Sequence, residues 1–508
     1  MRVNLIAVLW LGATAASADV VFEPVDVVAH EYTGGWEHYV GGGAAVFDCN
    51  GDRLPDVFAS GGASASMLLR NQGGMTFAAD TPDSLAIDGV IGAYPLDING
   101  DGHMDLAVLR VGENLLMQGD GTCGFTEMDM PGFDGRDRWT TAFSATWEAG
   151  NGLPTLAFGN YVNRDDPKGP FQACDENEIF RPDGDGYDMT RLQPGFCALS
   201  ILFSDWGRQG RAALRVSNDR HYYVRGGQEQ MWAMETMPRL YGAEEGWTAH
   251  RLWGMGIATR DLDHDGRSEV FLTSMGDQKL QRLTGEAGPA YENLPYKTGT
   301  TAHVPYLGGD GRPSTGWHVA FGDVQNDGLD DVFITKGNVE QMPGSAMDDP
   351  NNLLIQKPDG TFEEQGGAAG VASLVRGRGA GMVDLDLDGR LDLVVVNRRA
   401  PLEIYRNVSE GTGAWASVSL EWKSPNRNAV GAWIEVKTGA RVMSREITVG
   451  GGHAGGTAGP EHFGLGSVEH AAMRVIWPDG VTSDWADLPL NAYSTLTRNG
   501  DVAVLVPH

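Results

Sequence analysis

Acidic side chains stand at alternate positions in the segment 384–392, DLDLDGRLD, and a glycine follows the third of them. Hard cations such as Ca²⁺ take six to eight oxygen ligands at about 2.3–2.6 Å. A loop that turns at glycine can direct alternate side chains, and the carbonyl of its seventh residue, to one centre. The segment therefore predicts a calcium loop, and Mg²⁺ is disfavoured because it retains several of its waters.

This nine-residue pattern occurs five times along the chain. The five segments, called here the aspartate loops, are 48–56, 97–105, 261–269, 323–331 and 384–392. The predicted ligands occupy positions 1, 3, 5, 7 and 9 of each loop: Asp48, Asn50, Asp52, Leu54 and Asp56; Asp97, Asn99, Asp101, His103 and Asp105; Asp261, Asp263, Asp265, Arg267 and Glu269; Asp323, Gln325, Asp327, Leu329 and Asp331; Asp384, Asp386, Asp388, Arg390 and Asp392. Five calcium ions, each of charge +2, would move the formal net charge from -30 to -20.

The residues around each aspartate loop indicate β-strands. An EF-hand shares the first half of the pattern, but it has a glutamate at position 12 and helical flanks. Here position 9 is followed directly by β-branched and aromatic runs such as VFAS and LVVVN. The aspartate loops are therefore predicted to connect strand to strand.

Two further segments, starting at Trp147 and Asp205, resemble degenerate copies of the loop. Oxygen ligands are replaced by Trp147, Ala149 and Thr155 in the first and by Gly207, Gln209 and Ala213 in the second. With these copies the starts are separated by 49, 50, 58, 56, 62 and 61 residues, which makes seven units. Such units suit the four-stranded blades of a β-propeller, because a β-solenoid usually has shorter repeats. We expect an all-β, seven-bladed propeller with long inserts near 160–200 and 277–316.

The aspartate loops and their flanking strands resemble the FG-GAP or VCBS repeats of integrin α-subunit propellers and of exported bacterial proteins. The segments LLRNQGGMTF (68–77) and LLIQKPDGTF (353–362) resemble the hairpin of that family. The region from 411 to 508 resembles an ASPIC/UnbV domain, through Asn428–Ala432, His462–Gly466 and Trp477–Gly480. This pairing is the layout of the cartilage acidic protein family and its bacterial members. It implies an extracellular calcium-binding propeller over 19–410 and a small C-terminal β domain over 411–508, but no particular reaction.

The N-terminus, the cysteines and the charge all bear on location. Residues 1–18 have the layout of a signal peptide cleaved before Asp19, with a buried helix as the alternative, so a secreted or periplasmic protein is expected. Cys174 and Cys197 flank a turn-rich stretch and are predicted to pair, which leaves Cys49 for Cys123; free thiols are the alternative. A net charge of -30 disfavours nucleic acid and anionic membranes as partners. No later segment has the length of a membrane span, and a monomer is expected.

One further group of residues could do chemistry. The sequence after the signal peptide has no Gly-x-Ser-x-Gly elbow, phosphate loop, dinucleotide fingerprint or His-Glu-x-x-His helix. Polar and soft side chains near predicted strand ends could hold a transition metal such as copper in the propeller funnel: His221, His303, His318, Glu340 and Met342. The alternative is blade packing and turn capping, and the same two interpretations apply to His453 and His462.

The sequence thus favours a binding, adhesion or scaffold module for a protein or glycan, with the ligand on the face that carries the inserts. The alternative is an exported enzyme or enzyme accessory with a funnel site and a second metal. Convergence of His221, His303, His318 and Met342 would favour the enzyme, because packing alone does not require it.

Overall fold

The computed structural model describes residues 19–148, 150–167, 173–219, 226–276, 278–285, 288–301, 315–339 and 348–508. The described residues are dominated by β-strands, with one short α-helix, α1 (Gly366–Ala369). Short 3₁₀ turns occur at Trp36–His38, Ala243–Glu245 and Tyr296–Thr298. No helix in these ranges is long and apolar enough to cross a membrane. The fold is therefore all-β, as predicted.

The strands up to residue 407 form seven groups of four within the described ranges. Sheet 1 contains β2 (Ala44–Phe47), β3 (Asp56–Ala59), β4 (Met67–Asn71) and β5 (Phe77–Ala79); sheet 2 contains β6 (Val90–Leu96), β7 (Asp105–Glu113), β8 (Leu115–Gly119) and β9 (Phe125–Glu127); sheet 3 contains β10 (Asp137–Thr146), β11 (Thr155–Asn160), β12 (Asn177–Asp183) and β13 (Gly186–Leu192); sheet 4 contains β14 (Ala198–Ser204), β15 (Ala213–Asn218), β16 (Gln230–Ala233) and β17 (Arg239–Leu240). Sheet 5 contains β18 (Gly254–Arg260), β19 (Glu269–Ser274), β20 (Lys279–Leu283) and β21 (Tyr291–Asn293); sheet 6 contains β22 (Gly316–Gly322), β23 (Asp331–Lys336), β24 (Asn352–Gln356) and β25 (Phe362–Glu364); sheet 7 contains β26 (Gly377–Val383), β27 (Asp392–Asn397), β28 (Glu403–Asn407) and β1 (Phe22–Val25).

Each group is an antiparallel meander in chain order, except that the N-terminal strand β1 supplies the outer strand of sheet 7. Phe22 lies opposite Asn407 in this pairing. Sheets 2 and 3 are continuous, because the start of β10 pairs with the end of β7. The first strand of every sheet contacts the first strand of the next, and β26 contacts β2.

The second strands are buried because neighbouring sheets pack against both of their faces. In β27, DLVVVN, all six residues are buried, which suits a β-branched strand without an exposed face. Phe333 and Leu353 of sheet 6 share a core cluster with Leu393, Val395 and Tyr405 of sheet 7. The core therefore lies between the sheets, where apolar area leaves water at about 25 cal/mol per Å².

The C-terminal region forms two further sheets around a core of its own. Its strands are β29 (Ala414–Trp422), β30 (Trp433–Thr438), β31 (Arg441–Glu446), β32 (Gly456–Thr457), β33 (Glu461–Gly466), β34 (Ala471–Ile476), β35 (Ala486–Leu488), β36 (Ala492–Asn499) and β37 (Val502–Pro507). Sheet 8 has the order β33-β29-β36-β37, with β29 and β36 parallel, and sheet 9 has the order β31-β30-β34-β35. Val418, Ile434, Phe463 and Met473 belong to the core between them.

Residues 449–457, called here the glycine strap, leave the C-terminal domain after β31 and run among the first strands of the other sheets. β32, at the end of the strap, pairs with β2 in parallel. Single bridges join the strap to four other first strands: Val449 to Ala145, Gly450 to Leu202, Gly452 to Ile257 and Gly455 to Ala93. The glycine strap therefore contacts the first strands of sheets 1 to 5.

The disulfides agree with the sequence-based predictions, whereas parts of the predicted inserts do not. The disulfide prediction is confirmed, with Cys174 bonded to Cys197 and Cys49 bonded to Cys123. The prediction of an insert near 160–200 is wrong for 177–192, because β12 and β13 are the two outer strands of sheet 3. The prediction of an insert near 277–316 is likewise wrong for β20 and β21, which are the two outer strands of sheet 5. The predicted signal peptide, 1–18, lies outside the described residues.

Candidate functional site

The five aspartate loops connect the first strand to the second strand in sheets 1, 2, 5, 6 and 7. In each loop the carboxylate at position 1 accepts the backbone N–H of position 6 of the same loop. Asp48 accepts from Gly51 and Arg53, both at 2.7 Å, and Asp97 accepts from Gly100 at 2.8 Å and Gly102 at 2.9 Å. These bonds curl the backbone around the first carboxylate.

The carboxylate at position 5 closes a second turn by accepting the N–H of position 7. The five donors and distances are Leu54 to Asp52 at 2.9 Å, His103 to Asp101 at 2.9 Å, Arg267 to Asp265 at 2.8 Å, Leu329 to Asp327 at 3.0 Å and Arg390 to Asp388 at 3.0 Å. Because all five loops share this bond, they share one backbone path through positions 5 to 7.

The acid at position 9 ties the loop to its sheet. Asp392 accepts the N–H of Leu385 and of Asn407, both at 2.8 Å. Burial raises the pKa of Asp105 to about 7 and that of Glu269 to about 8, although both accept backbone N–H groups. Each bonded oxygen keeps a second lone pair, so this residue can anchor the loop and still offer an oxygen to a cation.

Loop 384–392 has the donor set that fits a hard cation best. Ligand atoms of Asp384, Asp386 and Asp392 lie within 4.8 Å of one another. The Asp386 side chain is only 5% exposed; its Oδ2 pairs with Arg406 at 2.8 Å, and its Oδ1 has no hydrogen-bond partner. Burial, followed by repulsion from Asp388, raises the pKa of Asp386. A buried anionic oxygen without a donor is costly, and Ca²⁺ would satisfy it.

Loop 261–269 has a related cluster, formed by positions 1, 3 and 5 and not by positions 1, 3 and 9. Ligand atoms of Asp261, Asp263 and Asp265 lie within 4.8 Å of one another, and Oδ1 of buried Asp261 has no partner. Burial and the charge of Asp265 raise the pKa of Asp261 to about 7. Arg282 pairs with Asp263 at 2.8 Å, as Arg406 does with Asp386. In both loops an arginine of the third strand holds the carboxylate at position 3.

The loops with asparagine at position 3 are arranged differently. Asn50 donates to Asp52 at 2.8 Å, and Asn99 donates to Asp101 at 2.9 Å. An amide can donate where a carboxylate cannot, so these two loops lose some repulsion without a cation. Near the first loop, Asp56 adjoins Cys49 and Cys123, but their sulfurs form a disulfide and are not free thiolates.

The degenerate loop 205–213 docks the C-terminal domain. Asp205 keeps the position 1 role and accepts the N–H of Gly210 at 2.7 Å. Its own N–H donates to Glu446 at 2.6 Å, and Arg208 pairs with Glu435 at 2.8 Å. In the other degenerate loop Thr155 donates to Glu148 at 2.9 Å, while Ala149 lies outside the described residues.

Most of the predicted funnel group lies outside the described residues. These are His221, His303, Glu340 and Met342. His318 is buried on β22, and its Nδ1 accepts the N–H of His453 in the glycine strap at 3.1 Å. The His453 ring packs on Trp317 with centroids 4.9 Å apart. Burial lowers the pKa of His318 to about 4 and that of His453 to about 3, so both rings are neutral near pH 7.

The C-terminal domain also covers the aspartate loops, which sequence reasoning missed. Four hydrogen bonds join it to two of the loops: Tyr493 hydroxyl to Asp384 at 2.6 Å, His462 Nε2 to Asn326 Oδ1 at 2.7 Å, Arg441 to the Gly328 carbonyl at 2.9 Å and Arg445 to Asp330 at 2.9 Å. A cavity of about 640 Å³ remains between the loops and sheet 8. The run of glycines in the strap was the one sequence signal for close backbone approach.

Two family models match parts of this chain. Residues 422–502 match ASPIC and UnbV. Residues 48–108 match the FG-GAP-like repeat. Cartilage acidic protein 1 of Mus musculus is 25% identical over 234 residues, which cover 45% of this chain and 34% of that protein. The human protein is 25% identical over 243 residues, covering 45% and 33%. This chain thus spans about a third of the length of these relatives, and the resemblance seen in the sequence is confirmed.

Solved structures are similar only at low identity. BBS1N, solved in complex with ARL6DN, has a TM-score of 0.45 at 9% identity and covers 77% of this chain and 97% of its own. YCF48 from Cyanidioschyzon merolae has a TM-score of 0.42 at 9% identity and covers 76% and 99%. Because both TM-scores are below 0.5, these structures are not used to describe the fold, and the description of the sheets rests on the strand pairing of this protein.

The matched ranges coincide with the sites described above. The FG-GAP-like match at 48–108 contains the first two aspartate loops. The ASPIC and UnbV match at 422–502 contains Glu446, the glycine strap, His462 and Tyr493. The residues that reach across from the C-terminal domain to the other sheets therefore belong to that matched region.

Proposed function

We propose that this protein is an exported, calcium-binding, seven-bladed β-propeller that acts as a binding, adhesion or scaffold module. The contacts between successive first strands, including β26 with β2, support a closed ring, and β1 would close it as the outer strand of sheet 7. The two disulfides are compatible with an extracellular or periplasmic location.

The observation that carries the proposal is the shared construction of the five aspartate loops. Each holds its acids by the same backbone bonds, and in loops 261–269 and 384–392 a buried carboxylate oxygen has no donor. Calcium would be held by these carboxylates, the position 3 amides and the position 7 carbonyls, and it would supply the charge that offsets their repulsion. This role stabilises the sheets and does not require catalysis.

The partner surface follows from the topology of the meanders. Connections from the first to the second strand share one end of the sheets, and the C-terminal domain covers that end. Connections from the second to the third strand leave at the other end, called here the opposite face. We therefore assign the protein or glycan partner to the opposite face, where Trp36 is 43% exposed.

The enzyme alternative gains no support from the described residues. His318 is buried and its Nδ1 is already bonded to the glycine strap. Ser417 donates to His462 Nδ1 at 3.0 Å, and His462 donates to Asn326, in an order reminiscent of a catalytic triad. Burial and the neighbouring Arg445 lower the pKa of His462 to about 3, which makes it a weak general base near pH 7.

Two measurements test the proposal. Metal analysis of the full chain after equilibration with calcium should find about five calcium ions. A glycan array and a panel of immobilised extracellular proteins should then reveal a ligand whose binding is reduced by Trp36→Ala. Trp485→Ala is the matched control, because Trp485 is 38% exposed on the C-terminal domain. Absence of bound calcium, or equal loss of binding in both variants, would contradict the proposal.

A further inference from the structure

Tyr493, on β36 of the C-terminal domain, is bonded to the first carboxylate of loop 384–392. Its hydroxyl donates to Asp384 Oδ2 at 2.6 Å. Asp384 also accepts the N–H of Gly389 at 2.6 Å on Oδ2 and that of Asp388 at 3.1 Å on Oδ1. The rotation of this carboxylate is thus fixed jointly by its own loop and by a separate domain.

A second path joins the same loop to sheet 8. The side chain of Asn326, in loop 323–331, donates to the Gly389 carbonyl at 2.8 Å and accepts from His462 Nε2 at 2.7 Å. Gly389 has φ of 87°, and a Cβ atom there would overlap the Trp415 ring. The C-terminal domain therefore packs so closely on this turn that only glycine fits.

We propose that Tyr493 is a positioning residue of the cation site in loop 384–392, so that calcium binding there and docking of the C-terminal domain stabilise each other. This inference rests on the proposed calcium function. The Tyr493 bond orients Asp384 beside Asp386, whose Oδ1 is buried and without a partner. Partners that orient metal ligands typically change metal affinity by 10–100-fold, and coupling between two equilibria is reciprocal.

Loop 261–269 provides an internal comparison. It has a similar cluster of three aspartates, but Asp261 accepts the N–H of Gly266, in its own loop, at 3.1 Å. A change at Tyr493 should therefore act on one site and leave the site in loop 261–269 unchanged. This distinction separates a local positioning effect from a general loss of stability.

The test is calorimetric titration of the calcium-free full chain with CaCl₂. Tyr493→Phe should keep the number of bound ions but weaken one site about tenfold. Tyr296→Phe is the control, because Tyr296 is 75% exposed. In an Asp386→Ala background, which should remove the site, Tyr493→Phe should leave the remaining affinities unchanged. Calcium should also slow hydrogen exchange in β29 and β36 of the wild type, and do so less in Tyr493→Phe.

Asn326→Gly provides a second variant, because glycine tolerates the φ of 56° at this position and removes both side-chain bonds. Asn326→Gly should also weaken the calcium site in loop 384–392, because the bond to the Gly389 carbonyl is lost. Unchanged calcium affinities in both variants, or hydrogen exchange in β29 and β36 that does not depend on calcium, would overturn the inference. If the wild type still bound about five calcium ions, the proposed function would stand. A wild-type chain that binds no calcium would overturn both.

Discussion

The Nε2 atom of His453 accepts the backbone N–H of Gly41 at 3.1 Å, which joins the glycine strap to the segment before β2 across 412 positions of sequence. The peptide N–H of His453 in turn donates to His318 of sheet 6. One residue of the glycine strap thus links the segment before sheet 1 to sheet 6. The two parts of the chain are consequently expected to unfold together.

Substitution of Gly92 tests how closely the strap is packed. A Cβ atom on Gly92 would overlap the carbonyl oxygen of Ala454. Gly92→Ala should therefore lower the free energy of unfolding by about 2 kcal/mol, which is typical of overpacking. Gly367→Ala is the control, because its Cβ would meet nothing within 4 Å. Urea denaturation measures both, and equal stability of the two variants would contradict the close packing.

Calcium removal tests the aspartate loops. A chelator should lower the melting temperature by several degrees, because calcium ions bind the folded protein and not the unfolded chain, and their removal destabilises the folded state. Excess calcium should restore it. Asp384→Ala and Asp386→Ala should each remove one of about five ions, whereas Asp487→Ala, at an exposed position of β35, should remove none. Differential scanning fluorimetry with metal analysis checks this, and an unchanged melt in chelator would refute structural calcium.

The pH dependence of stability should report on Glu446. Burial raises its pKa to about 8 from a normal value of 4.5, despite bonds from Asp205 and Ser204; Arg208 and Tyr291 also face it. The folded state then binds the proton more tightly than the unfolded chain does. The stability that this group contributes is complete below about pH 4.5 and is lost as the pH rises through about 8.

Glu446→Gln removes that titration while retaining an acceptor for the Asp205 N–H. At saturating calcium, the wild type should lose stability between pH 5 and pH 9, and the variant should lose less. The difference at pH 9 should be on the order of a few kcal/mol. Chemical denaturation across this pH range makes the comparison. Parallel curves of unfolding free energy against pH for the two proteins would show that ionisation of Glu446 does not destabilise the folded state.

The aspartate loops could be predicted from the sequence because their geometry depends on neighbouring residues. Asp384, Gly389 and Asp392 lie within nine residues, and the bonds that shape the loop join neighbours. The joining of strand to strand followed from the β-branched residues after position 9. The cysteine pairing was similarly accessible, because Cys174 and Cys197 are separated by 23 residues and flank one hairpin.

The strap and the covered loops were not accessible, because they depend on contacts between distant segments. Nothing near His453 in sequence indicates that it meets Gly41, and Tyr493 is 109 positions from Asp384. The error at 177–192 has a different cause. Its polar residues and the DGDG turn were interpreted as an insert, whereas the segment is an antiparallel hairpin at the outer edge of sheet 3.

The N-terminal strand offers a direct test of ring closure. Phe22 on β1 is 4% exposed and belongs to the core cluster that contains Leu393 and Tyr405, whereas the adjacent Val21 is 41% exposed. If β1 completes sheet 7, Phe22→Ser should lower the free energy of unfolding by about 3 kcal/mol, because a buried aromatic ring is lost. Val21→Ser should change it by less than about 0.5 kcal/mol. Equilibrium urea denaturation of both variants decides the matter, and equal small effects would mean that β1 does not hold the ring closed.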